Sequence, residues 1–126
     1  MYICNENNAD CLYSLMEKGG IDVYKAVKSD ALMVITEQEA YMQGGRFSPD
    51  LMLEFINKSI TASKRAGFKR LRGTGEMTWS LDGSTDMELL KEYEAKLNYI
   101  QDDFVALCQY NINKFSPKTL VDMLHT

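Results

Sequence analysis

The sequence predicts an α/β fold of three layers, a mainly parallel sheet flanked by helices. Three observations predict it. Short apolar runs alternate with segments of helical periodicity along the chain. One run, Ala31-Leu32-Met33-Val34-Ile35-Thr36, is almost continuously apolar, the pattern of a strand covered on both faces. Both prolines, Pro49 and Pro117, sit in the same Phe-Ser-Pro helix-start signal.

Taken in order, Tyr2-Ile3-Cys4 reads as a first strand, and Asn5 to Asn8 supply turn and cap residues. Leu12, Leu15 and Met16 follow at helical spacing until Gly19-Gly20 stops the helix. Asp22 caps a second short helix with Val23, Ala26 and Val27 on one face, and the second strand is 31–36. Phe47-Ser48-Pro49-Asp50 then provides a staple residue, an N-cap, a proline at N1 and a first-turn acid. Met52, Phe55, Ile56 and Ile60 form the apolar stripe of that helix. Ser59 and Ser63 keep its face small, and Gly67 ends it. Phe68 to Arg72 reads as a strand leading into a Gly73-Thr74-Gly75 loop. A helix from about Asp86 to Tyr99 points Leu90, Tyr93, Leu97 and Ile100 inward, with Glu92, Glu94 and Lys96 on a solvated face. Phe104 to Tyr110 is the fourth strand. Phe115-Ser116-Pro117 opens the last helix, with Phe115 placed to staple Leu120. The expected order is β-α-α-β-α-β-α-β-α, in which right-handed crossovers build a parallel sheet.

Composition bounds the function. The 126 residues make one domain, and 45% apolar with 25% charged residues exclude a disordered chain. Fourteen Lys and Arg against 18 Asp and Glu leave a net charge of −4, which argues against direct contact with nucleic acid. Eight methionines suit an adaptable interior or a pliable surface. Cys4, Cys11 and Cys108 are odd in number and form no CxxC pair, so they are expected as reduced thiols packing like small hydrophobes. No secretory signal and no membrane-length apolar run is present, and the expected compartment is the cytoplasm.

In open parallel sheets the ligand site lies beyond the carboxyl ends of the strands. Three loops leave those ends. The first, Tyr41-Met42-Gln43-Gly44-Gly45-Arg46-Phe47, offers paired glycines for positive φ and an arginine that could hold an anion. The second, Arg72-Gly73-Thr74-Gly75-Glu76-Met77-Thr78-Trp79, brings the sole tryptophan close to an acid and an arginine. The bland alternative there is an Arg72–Glu76 pair with Trp79 in the core. The third region presents Cys108 and Tyr110 on one strand face and Gln109 on the other. The chain contains no GxxxxGK[ST] and no GxGxxG, so neither phosphate-binding motif exists to hold a nucleotide cofactor. The single histidine, His125, and scattered cysteines make a protein metal site and a nucleophile–base pair poor expectations. Glu76 is the one candidate general base.

A further pattern runs through the chain. Tyr41 with Gly44-Gly45-Arg46-Phe47, Gly67-Phe68, Leu71-Arg72 and Gly75-Glu76-Met77-x-Trp79 are followed by Tyr93-Glu94-Ala95-x-Leu97-Asn98, Leu107-Cys108-Gln109-Tyr110 and Phe115-Ser116-Pro117. In this order and spacing the chain resembles the MEDS domain, the DcmR-like sensory domain of methanogens and methylotrophs. The resemblance implies one sensory domain over 1–126, a fold related to RecA/KaiC with the P-loop lacking, and no catalysis. It implies sensing of a small organic molecule, a hydrocarbon or a methylated or halogenated derivative. The output partner would be a histidine kinase or a helix-turn-helix protein. The family's initial strand, loop and helix precede the stretch that matches Tyr2-Ile3, which weighs against nucleotide binding and leaves a sheet edge that a homodimer could cover. By residue match the expected ligand-binding positions are Tyr41, Arg46, Arg72, Glu76, Trp79, Cys108 and Tyr110. Among them, Trp79 and the tyrosines serve as walls and Arg72 and Glu76 as polar orienters. The alternative is a degenerate ATPase-like domain used for dimerisation or regulation, and a third class is a hydrolase or transferase using Glu76.

Overall fold

A computed structural model describes residues 1–83, 85–100 and 103–125. The elements are β1 (Tyr2–Cys4), α1 (Ala9–Lys18), α2 (Val23–Lys28), β2 (Val34–Thr36), α3 (Glu37–Ala40) and α4 (Pro49–Arg65). They continue with β3 (Leu71–Glu76), a 3-10 turn at Thr78–Leu81, α5 (Met87–Leu97), a second 3-10 turn at Asn98–Ile100, β4 (Phe104–Gln109) and α6 (Pro117–Leu124).

The four strands form one parallel sheet in the order β2-β1-β3-β4. The chain steps from β1 outward to β2, then back across β1 to β3 and on to β4. Right-handed crossovers taken in opposite directions put their helices on opposite faces, so α1 and α2 cover one side and α4 and α5 the other. The three-layer α/β arrangement follows. The α4–α5 face holds the core: Ile3 of β1 meets Met52, Ile56 and Ile60 of α4 and Leu90, Tyr93 and Leu97 of α5. The opposite layer is partial. Cys4, Leu12 and Val23 are buried there, but over β3 and β4 Val105 and Leu107 remain 44% and 64% exposed.

The start signals act as their chemistry requires. Asn8, Asp22, Ser48 and Ser116 each accept a backbone N–H three residues on, and Gly67 at φ +91° follows the end of α4. Gly44 and Gly45 both take positive φ, at +87° and +85°, as the first loop demands. Phe115 is buried and Leu120 packs against the same core.

Several expectations change. The second strand is only 34–36 and lies at the sheet edge, half-exposed, since nothing pairs with its outer side among the described residues. The third strand is Leu71–Glu76, so Gly73 and Gly75 are strand residues and do not form a loop. Space explains them. A Cβ on Gly73 would lie 2.7 Å from the Phe104 ring, and one on Gly75 would overlap the Tyr41 hydroxyl. The short α3 was not expected, although Thr36-x-x-Glu39 is a capping box with both reciprocal bonds made. Finally, the fourth strand stops at Gln109 and is an edge strand with one open face, so Cys108 sits on a half-covered strand with Tyr110 just beyond its end, and Cys11 is exposed rather than packed.

Because Gly75 is required by volume and not by backbone angle, Gly75→Ala is expected to cost about 1–3 kcal/mol in urea unfolding. Combining it with Tyr41→Phe removes the clashing hydroxyl and should recover part of that loss, whereas strictly additive losses would reject the clash.

Candidate functional site

The sheet reverses its winding between β1 and β3, so the crevice beyond their carboxyl ends is the topological switch point. Glu76, the last residue of β3, stands there and is 5% exposed. One carboxylate oxygen accepts three consecutive backbone N–H groups, Asn5 at 2.7 Å, Glu6 at 2.6 Å and Asn7 at 3.0 Å. The other accepts the Tyr2 hydroxyl at 3.0 Å and the Asn7 amide at 2.6 Å. Consecutive amides of this kind form an anion-binding nest, and here a carboxylate of the same chain fills it. Burial pushes the Glu76 carboxyl upward, but the Asn7, Asn5 and Tyr2 hydrogen bonds outweigh it and hold the group below its ordinary value.

The nest loop carries a second carboxylate, Glu6. It accepts from the Thr78 hydroxyl and from Asn111 Nδ2 at 2.9 Å, and pairs with Lys114 at 3.0 Å. The loops after β1, β3 and β4 are thereby joined through two acids. Five donors converge on the Glu76 oxygens, so the group is a structural anchor and not a free general base. Arg72 does not pair with it. Residues 72 and 76 share a strand face, but Arg72 is exposed and the loop donors hold the acid instead.

Behind the core face of β3 lies an aromatic cluster. Tyr41 stacks on Trp79 at 4.5 Å between centroids, and Phe47 and Tyr93 meet Tyr41 edge-on at 6.2 Å each. Trp79 is 4% exposed, and its indole N–H has no acceptor among the described residues. The buried Tyr41 hydroxyl donates to Met77 Sδ at 3.5 Å, a weak acceptor. Trp79 is therefore a core residue, as its bland reading had it.

Next to this cluster, α5 and the edge strand β4 leave a groove of about 360 Å³ lined by Glu94, Leu97, Asn98, Phe104, Ala106 and Cys108. The Tyr110 hydroxyl donates to Glu94 at 2.5 Å. Burial first, then the Glu94 charge, pushes both the Tyr110 phenol and the Cys108 thiol well above their ordinary values. Burial and the Glu94 charge thus favour the neutral thiol at Cys108 over the thiolate.

The structure thus divides the seven expected positions. Tyr41 and Trp79 meet in the core, Cys108 and Tyr110 meet at the α5–β4 groove, and Glu76 anchors the switch-point loop. Arg46 and Arg72 are exposed and join neither group. Glu94 is the residue that sequence reasoning missed. Its place directly after the inward Tyr93 puts it at the border of the buried stripe, but helical periodicity alone assigned it to solvent. No group of three metal-ligating side chains occurs among the described residues, and no described helix is long and apolar enough to cross a membrane.

The fold and the anchored switch point define a parallel α/β domain of three layers. The whole of it, residues 1–126, matches the family model described as the MEDS, methanogen/methylotroph, DcmR sensory domain, and the chain belongs to this family. It is also similar to the transcriptional repressor DcmR of Methylorubrum extorquens, 26% identical over 106 residues, or 82% of this chain. That match spans 37% of the repressor's length. No solved structure matches the chain. The family and the repressor relative support a regulatory sensory role.

A group whose folded-state pKa is depressed contributes stability that is present above its unfolded value and lost as pH falls through the folded one. Unfolding free energy should therefore drop on acidification below the ordinary carboxylate range, and Glu76→Gln should flatten that slope. At neutral pH the same change leaves amide donors facing an NH₂ group and is expected to cost about 1–3 kcal/mol by chemical denaturation. An unchanged acid slope would show that Glu76 is not the anchor.

Proposed function

We propose that this chain is a non-catalytic signal-input domain that binds a small organic molecule in the cytoplasm and passes its occupancy to a regulatory output module. The output would be a helix-turn-helix protein or a histidine kinase. The observation that carries this reading is the family match over the whole chain. The repressor relative supports it, because a match confined to 37% of that protein leaves room for an output segment there.

The geometry favours binding over chemistry. Glu76 is saturated with donors, and Cys108 is kept as a thiol. The α5–β4 groove offers Leu97, Phe104 and Ala106 as apolar walls with a few polar groups, the make-up of a small-molecule site. The filled Asn5–Asn7 nest leaves those amides unavailable to a nucleotide phosphate, which weighs against the ATPase-like alternative.

A thermal-shift screen against small organic molecules, with Mg-ATP alongside, tests the reading. A true ligand at a hundred times its Kd should stabilise the fold by about 2.7 kcal/mol. Stabilisation by Mg-ATP in place of any organic molecule would overturn the sensor reading in favour of the ATPase-like one. A homodimer is a second reading, favoured by the exposed Val105 and Leu107 on the open half of the sheet. Light scattering that gives only monomer mass would remove it.

A further inference from the structure

The acids of α5 are not treated alike. Glu88 pairs with Lys91 at 2.9 Å, and Glu92 pairs with Lys96 at 2.6 Å. Lys91 and Lys96 spend their remaining reach on Asp122 and Asp50. Glu94, on the same helix, has no lysine, arginine or histidine within ion-pair distance among the described residues. Its donors are neutral groups, the Tyr110 hydroxyl and the Cys108 thiol.

This carboxylate, which has no ion-pair partner among the described residues, is half-buried and lines the α5–β4 groove, whose remaining lining is apolar apart from Asn98 and Cys108. A carboxylate partly withdrawn from water gains most from a cation that brings its own hydrogen-bond donors or a large, weakly hydrated surface. Leu97, Phe104 and Val105 add apolar lining beside the charge. A halide, ether or alkane would leave the Glu94 charge uncompensated, and an organic anion would be repelled by it.

We propose that the groove between α5 and β4 binds a small organic ammonium ion, with Glu94 as its counter-ion and Leu97, Phe104 and Ala106 around its alkyl part. This rests on the sensor reading and gives its ligand a charge and a size. The volume of about 360 Å³ lies near the lower end of small-molecule sites, so a few-carbon ammonium fits and a drug-sized amine does not. Tyr110 is a positioning residue, since its hydroxyl fixes the rotamer of the carboxylate.

Calorimetry and thermal shift with n-butylammonium and tetramethylammonium chloride, each against 1-butanol and equal sodium chloride, test the assignment. The ammonium ions should raise the melting temperature beyond the salt control and bind more weakly as ionic strength rises. Glu94→Gln should weaken their binding at least tenfold. Ala106→Phe, which fills the groove and leaves the carboxylate in place, should abolish binding while circular dichroism stays unchanged. If Glu94→Gln does not fold, the Ala106→Phe result decides alone. Binding of 1-butanol equal to that of butylammonium, unaffected by Glu94→Gln, overturns the ammonium assignment and leaves the sensor reading standing. Failure of every probe here together with every molecule of the wider organic screen overturns both.

Discussion

Three backbone N–H groups on one oxygen of Glu76 form the interaction on which the carboxyl end of this sheet depends. The loop that leaves β1 at the switch point must place its amides somewhere, because buried N–H groups without acceptors are costly. In many parallel α/β domains a bound anion meets that need. Here the acid comes from the end of β3, so the loop is ordered by the fold itself. Glu6 in the same loop then reaches Thr78, Asn111 and Lys114, and the ends of β1, β3 and β4 become one connected structure. The anchor has a chemical consequence. The acid that the sequence offers as a candidate base is the one that five donors hold.

The second constraint is one of volume. Gly75 is adjacent to Glu76, and its missing side chain lets the Tyr41 hydroxyl approach the strand. Tyr41 in turn stacks on Trp79 and meets Phe47 and Tyr93. Alternation along one strand therefore serves two faces: Glu76 holds the loop on one, and Gly75 admits the aromatic cluster on the other. Glu94, Cys108 and Tyr110 lie beyond that cluster, where α5 meets the unpaired edge of β4. A molecule seated there would touch the element whose neighbours include both the cluster and the last loop.

Local chemistry made much of the fold legible. The caps at Asn8, Asp22, Ser48 and Ser116 and the stop at Gly67 act within a few residues, so spacing alone places them. Alternation of strands with helices gave the parallel α/β class for the same reason. The third strand was misplaced because Gly-x-Gly carries a loop signature whenever the partner filling the missing Cβ space is unknown. That partner, Tyr41, is 34 residues away. The extent of β2 was overestimated because an apolar run does not reveal whether a neighbouring strand lies on its far side.

For the candidate site the division is sharper. The sequence by itself determined the capped starts of α1, α2, α4 and α6, the absence of nucleotide-binding motifs and the residue types that match the sensory family, since each depends on identity and spacing. Only the tertiary structure decided what those residues do. Hydrogen bonds across 69 to 74 positions made Glu76 an anchor in place of a base. Packing sent Trp79 into the core and left Arg46 and Arg72 outside. A contact across 16 positions made Glu94 part of a groove in place of a solvated helix face. The physical reason is common to all three: the role of a charged or aromatic side chain is set by its partners, and partners brought together by crossovers leave no periodic mark along the chain.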